Sequence, residues 1–359
     1  MLKPICLLLL ATLSRGTLAQ PVPVPDHVDI TWMSVTNMYY EIGTRGVVTD
    51  GYISRIPPGV FFGASGGLAQ SHTPQKPDIA AVRRVLDALG GPSKVQLLLS
   101  GHSHFDHSFD TAVWSALTNA PIMGSRTTCY QAFAQGIPRD RCTTLNGGER
   151  IQISDGVAMY VVRWNHSGDP AINPEQHNPA ELSAIPRLDS VTGGLRPGVA
   201  EDFPNGGGSR AYLFVVDAPN GRFSWFFQNS ASVVDLEKPI VVDGVSYGAP
   251  LENLKSAMQS AGLTSVDLWI GTGGVPLGNV VVPVLHPKAF IPVHWDSFYA
   301  PFESGVTKPY ADPPFEAFLG LAGTQLLRPA QYMDKWRLSA GRVVAVDNAV
   351  VKTRLGFKP

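Results

Sequence analysis

The amino-acid sequence predicts an α/β fold, and three observations support this prediction. Short apolar runs typical of buried strands alternate with amphipathic stretches typical of helices, a pattern that indicates layers of sheet and helix. The 36 glycines and 30 prolines indicate many loops rather than a helical bundle. The 359 residues are 44% hydrophobic, which suits a large core.

The first half of the chain begins with strands and continues with alternating helices and strands. Residues 27–51 have the pattern of strands with a turn at Gly43–Gly46. In "DIAAVRRVLDALGG" Asp78 is a typical N-cap, and Gly90–Gly91 end the helix. The apolar face predicted for this helix consists of Ile79, Val82, Val85, Leu86 and Leu89. The further elements predicted in this half are a strand at 95–100, a helix at 110–120, a strand at 121–125 and a helix at 127–136.

The second half shows the same alternation, interrupted by one long stretch. Residues 167–209 are rich in Pro, Gly and Asn and lack periodicity. Because so long a loop is usually functional, we interpret it as an insertion over the site, within one domain that covers residues 20–359. The elements predicted around it are a strand at 157–164, a hairpin at 210–230 with its turn at 218–221, a helix at 251–262, and strands at 266–271 and 288–295.

The first 19 residues have the pattern of a secretory signal peptide. A basic Lys3 is followed by an apolar run and by small residues that end at Ala19. The alternative is a membrane anchor, but the run is short for a bilayer span. We therefore expect an exported protein, periplasmic or secreted, that leaves the membrane after cleavage.

Two cysteines, Cys129 and Cys142, remain after removal of the predicted signal peptide. Disulfides persist in exported proteins, so we expect these two residues to be bridged. A bridge that closes so short a loop stabilises a protein by about 3 kcal/mol. The alternative is two separate buried thiols.

The net charge limits the partners that the chain can have. A formal charge of −1 at pH 7 encodes no attraction to nucleic acid or to an anionic membrane. We therefore expect a small-molecule substrate and no nucleic-acid partner.

One short stretch, "LLLSGHSHFDHSFD", carries an unusual density of metal-binding side chains. His102, His104, Asp106 and His107 fall within six residues, directly after an apolar strand. Free imidazoles packed this closely would repel one another when protonated and would lose solvation when buried. A bound metal removes both costs, and imidazole nitrogen with carboxylate oxygen suits zinc.

The spacing of this cluster, H-x-H-x-D-H, resembles that of the metallo-β-lactamase superfamily. Three other stretches stand in the family's order, namely "VVTDGY" with Asp50, "RWNHSGD" with His166 and "IPVHWDSF" with His294. The resemblance covers most of residues 28–300. It implies a four-layer αββα sandwich with metals at the edges of the two sheets.

The resemblance also implies the metal ligands. One metal would be bound by His102, His104 and His166, and a second by Asp106, His107 and His294. Asp50 would hold ligands in position without binding the metal.

The remaining histidines are weaker candidates. His286 is an alternative to His294, although it precedes its strand rather than ending it. His27, His72 and His177 lie in loop-like stretches, where we expect them to be solvated.

The chain departs from the family pattern at one position. The family usually has Gly-Asp after the hairpin strand, and that carboxylate bridges both metals; here Gln228 and Asn229 stand there. Asn229 would be a weak ligand or would only contact other ligands. Asp217 and Asp235 are nearby alternatives, but neither stands at the strand end. We therefore expect zinc to occupy one tight site and a weaker second site.

The activity implied by the resemblance is that of a hydrolase. Zinc would activate a water molecule that attacks an ester, lactone, amide or phosphodiester bond, and Asp106 would be a catalytic residue that orients this water. The chain resembles lactonase-like and phosphodiesterase-like members more than true β-lactamases. The alternative is a non-catalytic or weakly active metal-binding relative with an impaired second site.

Aromatic side chains stand close to the predicted ligands in the sequence. Phe105, Trp295, Phe298 and Tyr299 are candidates to line a substrate pocket, as is Trp164. The alternative for each ring is packing in the core.

Overall fold

The computed structural model describes residues 23–62 and 71–358. The predicted signal peptide at residues 1–19 lies outside these ranges. Within them, no helix combines the length and the apolarity needed to cross a membrane.

The described residues form two large sheets, a two-stranded ribbon and helices on both sides. The strands are β1 (His27–Ser34), β2 (Asn37–Ile42), β3 (Arg45–Thr49), β4 (Leu97–Leu99), β5 (Ile122–Gly124), β6 (Cys142–Thr144), β7 (Arg150–Ser154), β8 (Val157–Trp164), β9 (Ser209–Ala218), β10 (Gly221–Phe227), β11 (Val241–Val242), β12 (Val245–Ser246), β13 (Leu268–Gly271), β14 (Ala289–Pro292), β15 (Gln325–Leu326), β16 (Asp334–Ser339) and β17 (Arg342–Val346). The α-helices are α1 (Pro58–Phe62), α2 (Ile79–Leu89), α3 (Phe105–Ser108), α4 (Thr111–Thr118), α5 (Arg126–Ala134), α6 (Pro174–His177), α7 (Pro250–Ser260), α8 (Val275–Leu285), α9 (Pro313–Leu321) and α10 (Ala349–Leu355).

The two large sheets are both mixed. The first has the strand order β17-β16-β1-β2-β3-β4-β5-β6, and its strands from β3 to β6 are parallel. The second has the order β15-β14-β13-β10-β9-β8-β7, and its strands β10, β13, β14 and β15 are parallel. In both sheets, the parallel strands bring several carboxyl ends to one edge.

Alternate side chains of β9 point into different layers. Tyr212, Phe214 and Val216 belong to the core between the sheets, where the ring of Tyr40 on β2 lies 5.6 Å from that of Phe214. The intervening residues of β9 pack against α7, α8 and α9. Helices α2 and α4 pack on the other side, against the first sheet. The predicted four-layer αββα sandwich is confirmed.

Helix α2 shows how local signals set its ends. The Asp78 carboxylate accepts a hydrogen bond from the Ala81 amide at 3.0 Å, and Gly90 takes a left-handed φ of 110°. The predicted apolar face is wrong at Ile79, whose side chain is 54% exposed. The reason is that the buried face of the helix begins one turn later, at Val82.

The C-terminal part of the chain completes the first sheet. Sequence patterns predict no element after residue 295, yet β16 pairs with β1 in antiparallel register, with Ile30 opposite Trp336. This pairing places the end of the chain beside its first strand, and Trp336 joins the core between the sheets.

Five strands end at the edge of the sandwich where the predicted ligands stand. The residues that follow β3, β4, β8, β10 and β14 include, in that order, Asp50, His102, His166, Asn229 and His294. Asp50 and His294 both adopt left-handed backbone conformations, with φ of 61° and 63°. Such conformations are costly for residues other than glycine and cluster at functional sites.

Candidate metal centre

The structure brings His102, His104 and His166 together as the first group. One possible ligand atom from each residue lies within 4.8 Å of the others. The ring centroids are 4.6 to 4.8 Å apart, and all three residues are buried. Three imidazoles at this spacing can converge on one metal ion.

The imidazoles of the first group are neutral, and not all of their ring nitrogens form hydrogen bonds. Burial lowers the pKa of His104 to about 3, and burial with the nearby imidazoles holds those of His102 and His166 far below their ordinary value. Within the described part of the chain, the buried Nε2 atoms of His102 and His104 have no hydrogen-bond partner. Such atoms are costly unless something binds them. Because metals bind neutral imidazole, this donor set fits a zinc ion.

The second group consists of Asp106, His107 and His294, which also lie within 4.8 Å of one another. Asp106 Oδ2 lies 3.1 Å from His294 Nε2 and 3.5 Å from His107 Nε2. Burial opposes ionisation of Asp106, but the two imidazoles outweigh it and hold the pKa of the carboxyl below its usual range. Burial likewise opposes protonation of His294, but the bond to Asp106 outweighs it and raises the pKa of that imidazole.

Asp50 holds one ligand of the second group from behind. Its Oδ2 accepts a hydrogen bond from His107 Nδ1 at 3.0 Å and another from Thr36 Oγ1 at 2.6 Å. The Gly101 amide donates to Oδ1 at 2.8 Å, which ties the strand end to the same carboxylate. A hydrogen bond at Nδ1 leaves Nε2 of His107 as the nitrogen that could bind a metal. The structure thus places Asp50 within hydrogen-bond distance of a candidate ligand and of the strand end that precedes the cluster.

Asn229 belongs to neither group and contacts candidate ligands of both, which is one of the two roles that the sequence left open. Its Oδ1 lies 3.2 Å from Nδ1 of His102, while its Nδ2 donates to Asp50 Oδ2 at 3.0 Å and lies 3.2 Å from Nδ1 of His107. Both polar atoms of the amide therefore contact the Nδ1 side of the imidazoles or the Asp50 carboxylate. A Cβ at position 101 would overlap this amide, so Gly101 leaves the room that Asn229 occupies.

The alternative candidates lie outside both groups. Asp217 pairs with Arg222 on the exposed part of the hairpin, and Asp235 accepts a hydrogen bond from Asn165 Nδ2 at 2.5 Å. His286 caps the end of α8 in a left-handed conformation. Of the carboxylates in the described residues, only Asp106 enters a group of three.

His177 is the residue that the sequence reasoning missed. Its side chain is only 5% exposed, and its ring lies 5.7 Å from that of His166. Its Nδ1 lies 3.4 Å from Asp235 Oδ2, and its buried Nε2 has no hydrogen-bond partner among the described residues. The prediction that His177 is solvated is wrong, because the insertion folds back onto the first group. No local spacing in the sequence marks this contact.

Residues 167–209 are fixed to the body of the protein at several points. Glu181 forms an ion pair with the buried Arg210 at 3.0 Å. Thr127 Oγ1 accepts from the Leu182 amide at 2.9 Å, and Gln131 Nε2 donates to the Asp202 carbonyl at 2.9 Å. The insertion is therefore a fixed wall beside the metal-binding groups.

A cavity of about 240 Å³ opens beside both groups. Its lining includes Phe105 and Phe298, as predicted, together with Gln176 and Val199 from the insertion. The other candidate aromatic residues are not among those that line this cavity. Trp295 stacks on Trp32 at 5.5 Å, Trp164 packs against Phe226 at 5.6 Å, and Tyr299 stacks against Phe105 at 6.2 Å.

Cys129 and Cys142 form the predicted disulfide, with Cα atoms 5.5 Å apart. The bridge joins α5 to β6. Because Gln131 on α5 also donates to the Ser103 carbonyl at 3.0 Å, the disulfide stabilises the helix that supports the H-x-H loop.

Comparison with known sequences finds similarity to metal-dependent hydrolases over a part of the chain. A UPF0173 metal-dependent hydrolase from Pyrobaculum islandicum is 33% identical over 72 residues, which are 20% of this chain and 32% of that protein. A second such hydrolase, from Pyrobaculum neutrophilum, is 32% identical over 72 residues, which are again 20% of this chain and 32% of that protein. The chain thus matches about a third of the length of these relatives. No protein-family model matches the sequence.

Comparison with solved structures finds two hydrolases and a further protein of the metallo-β-lactamase fold, each over most of the chain. Igni18, a metallo hydrolase from Ignicoccus hospitalis, has a TM-score of 0.46 and 13% identity, covering 90% of this chain and 99% of that one. An isothiocyanate hydrolase from Delia radicum gut bacteria has a TM-score of 0.48 and 12% identity, covering 87% and 99%. The metallo-β-lactamase fold protein YhfI from Bacillus subtilis has a TM-score of 0.45 and 8% identity, covering 88% and 100%.

Proposed function

We propose that this protein is a metal-dependent hydrolase that binds zinc at two neighbouring sites and cleaves a small ester, lactone, amide or phosphodiester. The observation that carries the proposal is the pair of three-residue groups that face one cavity. The relatives named metal-dependent hydrolases support it. The nitrogen and oxygen donor set favours zinc.

The chain's own residues would divide the work between binding and orientation. When bound, zinc would lower the pKa of water and polarise the substrate's carbonyl or phosphoryl oxygen. Asp106 lines the cavity and is ionised, so it would accept a hydrogen bond from the attacking water and orient it. Asp50 and Asn229 would hold the ligand imidazoles from behind, as metal sites generally require. Phe105, Phe298 and the insertion would exclude bulk water.

The main argument for a non-catalytic metal-binding relative is that Asn229 replaces a metal-binding carboxylate. That alternative rests on Asn229 as an impaired ligand, whereas the amide lies behind the imidazoles of both groups. The cavity beside the groups also leaves room for a substrate. We keep the expectation of one tight and one weaker zinc site, because the contact with Asp106 raises the pKa of His294 and zinc would have to displace a proton there.

We further propose that the mature protein acts outside the cytoplasm. The disulfide supports export. Mass spectrometry of the protein purified from a secreting host would test this: the expected mature chain begins after Ala19, and an intact N-terminus would contradict it.

Hydrolysis of a small substrate panel tests the proposed activity. The panel contains an aryl ester, a lactone, an aryl phosphodiester and a β-lactam, each measured with zinc, with a chelator, and with zinc restored. We expect at least one substrate to be cleaved with zinc, lost with chelator and recovered with zinc. Zinc binding without any hydrolysis would favour the non-catalytic alternative.

A further inference from the structure

The turn between β1 and β2 contains a valine in a backbone conformation that valine rarely adopts. Val35 has a left-handed φ of 47°, and the residue is fully buried. This region of φ is especially costly for a side chain that branches at Cβ. Such conformations persist only where the surrounding structure imposes them, and they cluster at functional sites. The contacts that hold Val35 in place therefore point to a function.

The carbonyl and the amide of Val35 both bond to the loop that carries His294. The His294 amide donates to the Val35 carbonyl at 2.9 Å, and the Asp296 carboxylate accepts from the Val35 amide at 3.0 and 3.1 Å. His294 is itself left-handed, with a φ of 63°. These bonds join the end of β1 in the first sheet to the segment that follows β14 in the second.

The Asp296 carboxylate and the Val35 carbonyl have further partners that fix this arrangement. The hydroxyl of the buried Tyr332 donates to Asp296 Oδ2 at 2.8 Å. Trp32 Nε1 donates to the Val35 carbonyl at 3.0 Å. Asp296 belongs to neither metal-binding group. Its carboxylate therefore contacts the turn opposite His294, outside the group that His294 joins.

We propose that Asp296 is a positioning residue, which holds Val35 in its strained conformation and thereby fixes His294 where it can bind a second metal ion. The inference rests on the proposed zinc binding at the second group. The buried Val35 amide needs an acceptor, and the carboxylate supplies it. Without that acceptor Val35 would relax to a negative φ, and its carbonyl would turn away from the His294 amide. Residues that hold metal ligands in place contribute roughly 10- to 100-fold to metal affinity.

Two substitutions of Asp296 separate its hydrogen bonds from its charge. Asp296→Asn removes the negative charge but keeps a side-chain oxygen that can accept from the Val35 amide. Asp296→Ala removes both the charge and the acceptor. Asp312→Ala is the matched control, because the Asp312 carboxylate caps α9 by accepting from the Phe315 amide at 3.2 Å and belongs to neither group.

Calorimetric zinc titration of the full chain compares the two groups. Asp296→Ala should weaken binding of the second equivalent by about tenfold or more and leave the first unchanged. Asp296→Asn should restore most of that affinity, and Asp312→Ala should change neither equivalent. An unchanged second equivalent in Asp296→Ala, or equal weakening of both equivalents, overturns the inference. Equal weakening of the second equivalent in Asp296→Asn and Asp296→Ala also overturns it, since the charge rather than the hydrogen bond would then matter.

The backbone of the metal-free chain gives a test that does not depend on zinc. Crystal structures of the chelator-treated wild type and Asp296→Asn should show Val35 at a positive φ, and that of Asp296→Ala should show a negative one. A positive φ in Asp296→Ala overturns the inference. A wild type that binds no second zinc contradicts the proposed function at that group, whereas the φ of Val35 still decides what Asp296 holds.

Glycine at position 35 tests the strain without changing Asp296. The urea midpoint of Val35→Gly should lie above that of Val35→Ala, because glycine adopts a left-handed φ at little cost. At Val28, a buried residue of the extended strand β1, the order of the same two variants should be reversed. A higher midpoint for Val35→Ala than for Val35→Gly would show that Val35 is not strained and would overturn the inference.

Discussion

The two candidate metal-binding groups lie side by side, yet the pKa of His294 in one group is shifted in the opposite direction from the pKa values of the three histidines in the other. In the three-histidine group, burial and neighbouring imidazoles lower the pKa of every ring, so all three are neutral near pH 7. In the Asp106 group, the carboxylate raises the pKa of His294, and the two residues form an ion pair at 3.1 Å. We therefore expect a metal to enter the first group without competition from protons and to displace a proton from the second. From this difference we expect the three-histidine group to fill before the Asp106 group.

Removal of a candidate ligand from the three-histidine group should have the largest effect, since zinc binding and hydrolysis should both be lost. His104→Ala removes one of three neutral donors, so zinc should no longer bind tightly there. Zinc supplies several kcal/mol of transition-state stabilisation, and we expect hydrolysis to fall by about 10³-fold or more. Metal analysis and initial rates measure both effects.

His286→Asn is the matched control for this variant. His286 caps α8 in a left-handed conformation that Asn tolerates, and it lies outside both groups. Zinc content and rate should match those of the wild type. Full zinc content in His104→Ala would show that the first group is not a metal site.

Replacement of Asn229 by Asp tests the amide that contacts both groups. The Nδ2 of Asn229 donates to Asp50 Oδ2 at 3.0 Å, so Asp at this position would bring two buried carboxylates together. Because like charges at this distance cannot both ionise freely, we expect a loss of about 2 kcal/mol or more in the free energy of unfolding. Chemical denaturation of the metal-free chain measures it.

Asn220→Asp, in the exposed hairpin turn, adds the same charge without a buried neighbour and should change stability little. Tighter zinc binding at the second group in Asn229→Asp, without loss of stability, would place this side chain between the metals after all.

The pH dependence of zinc binding should separate the two groups. A raised pKa keeps His294 protonated to higher pH, so affinity at the second group is lost as pH falls through that pKa. The lowered pKa values of the first group let it retain zinc to lower pH. Below the raised pKa of His294, second-site affinity should fall by up to ~tenfold per pH unit.

Calorimetry in buffers of different ionisation enthalpy counts the protons released. The second equivalent of zinc should release about one proton more than the first. Equal release from both equivalents would remove the proposed asymmetry.

Thr36→Val should produce the smallest effect, confined to the second group. Thr36 Oγ1 donates to Asp50 Oδ2 at 2.6 Å and lies 2.9 Å from His107 Nδ1. Loss of such a contact should weaken zinc binding at the second group by about tenfold. Thr118→Val, which removes a hydroxyl bond to the Trp114 carbonyl on α4, is the control. Equal weakening of both groups would indicate a general loss of structure.

Local patterns in the sequence predicted the helices, the strands and a cluster of candidate ligands, whereas the four-layer arrangement and the division into two ligand groups were implied by the family resemblance. The helix at 79–89 follows from its cap and apolar spacing, and the first four candidate ligands fall within six residues. The contacts of Asn229 and His177 were not predictable in this way. Asn229 reaches the imidazoles only because Gly101 leaves room on a distant strand end, and His177 arrives through the insertion. Both depend on tertiary packing between segments far apart in sequence.

Anomalous diffraction at the zinc edge tests the central claim most directly. Crystals of the chelator-treated protein would receive one equivalent of zinc and then an excess. We predict a first peak among His102, His104 and His166. A second peak at Asp106, His107 and His294 should appear with excess zinc. A first peak at the Asp106 group, or zinc bound only at some other place, would contradict the account.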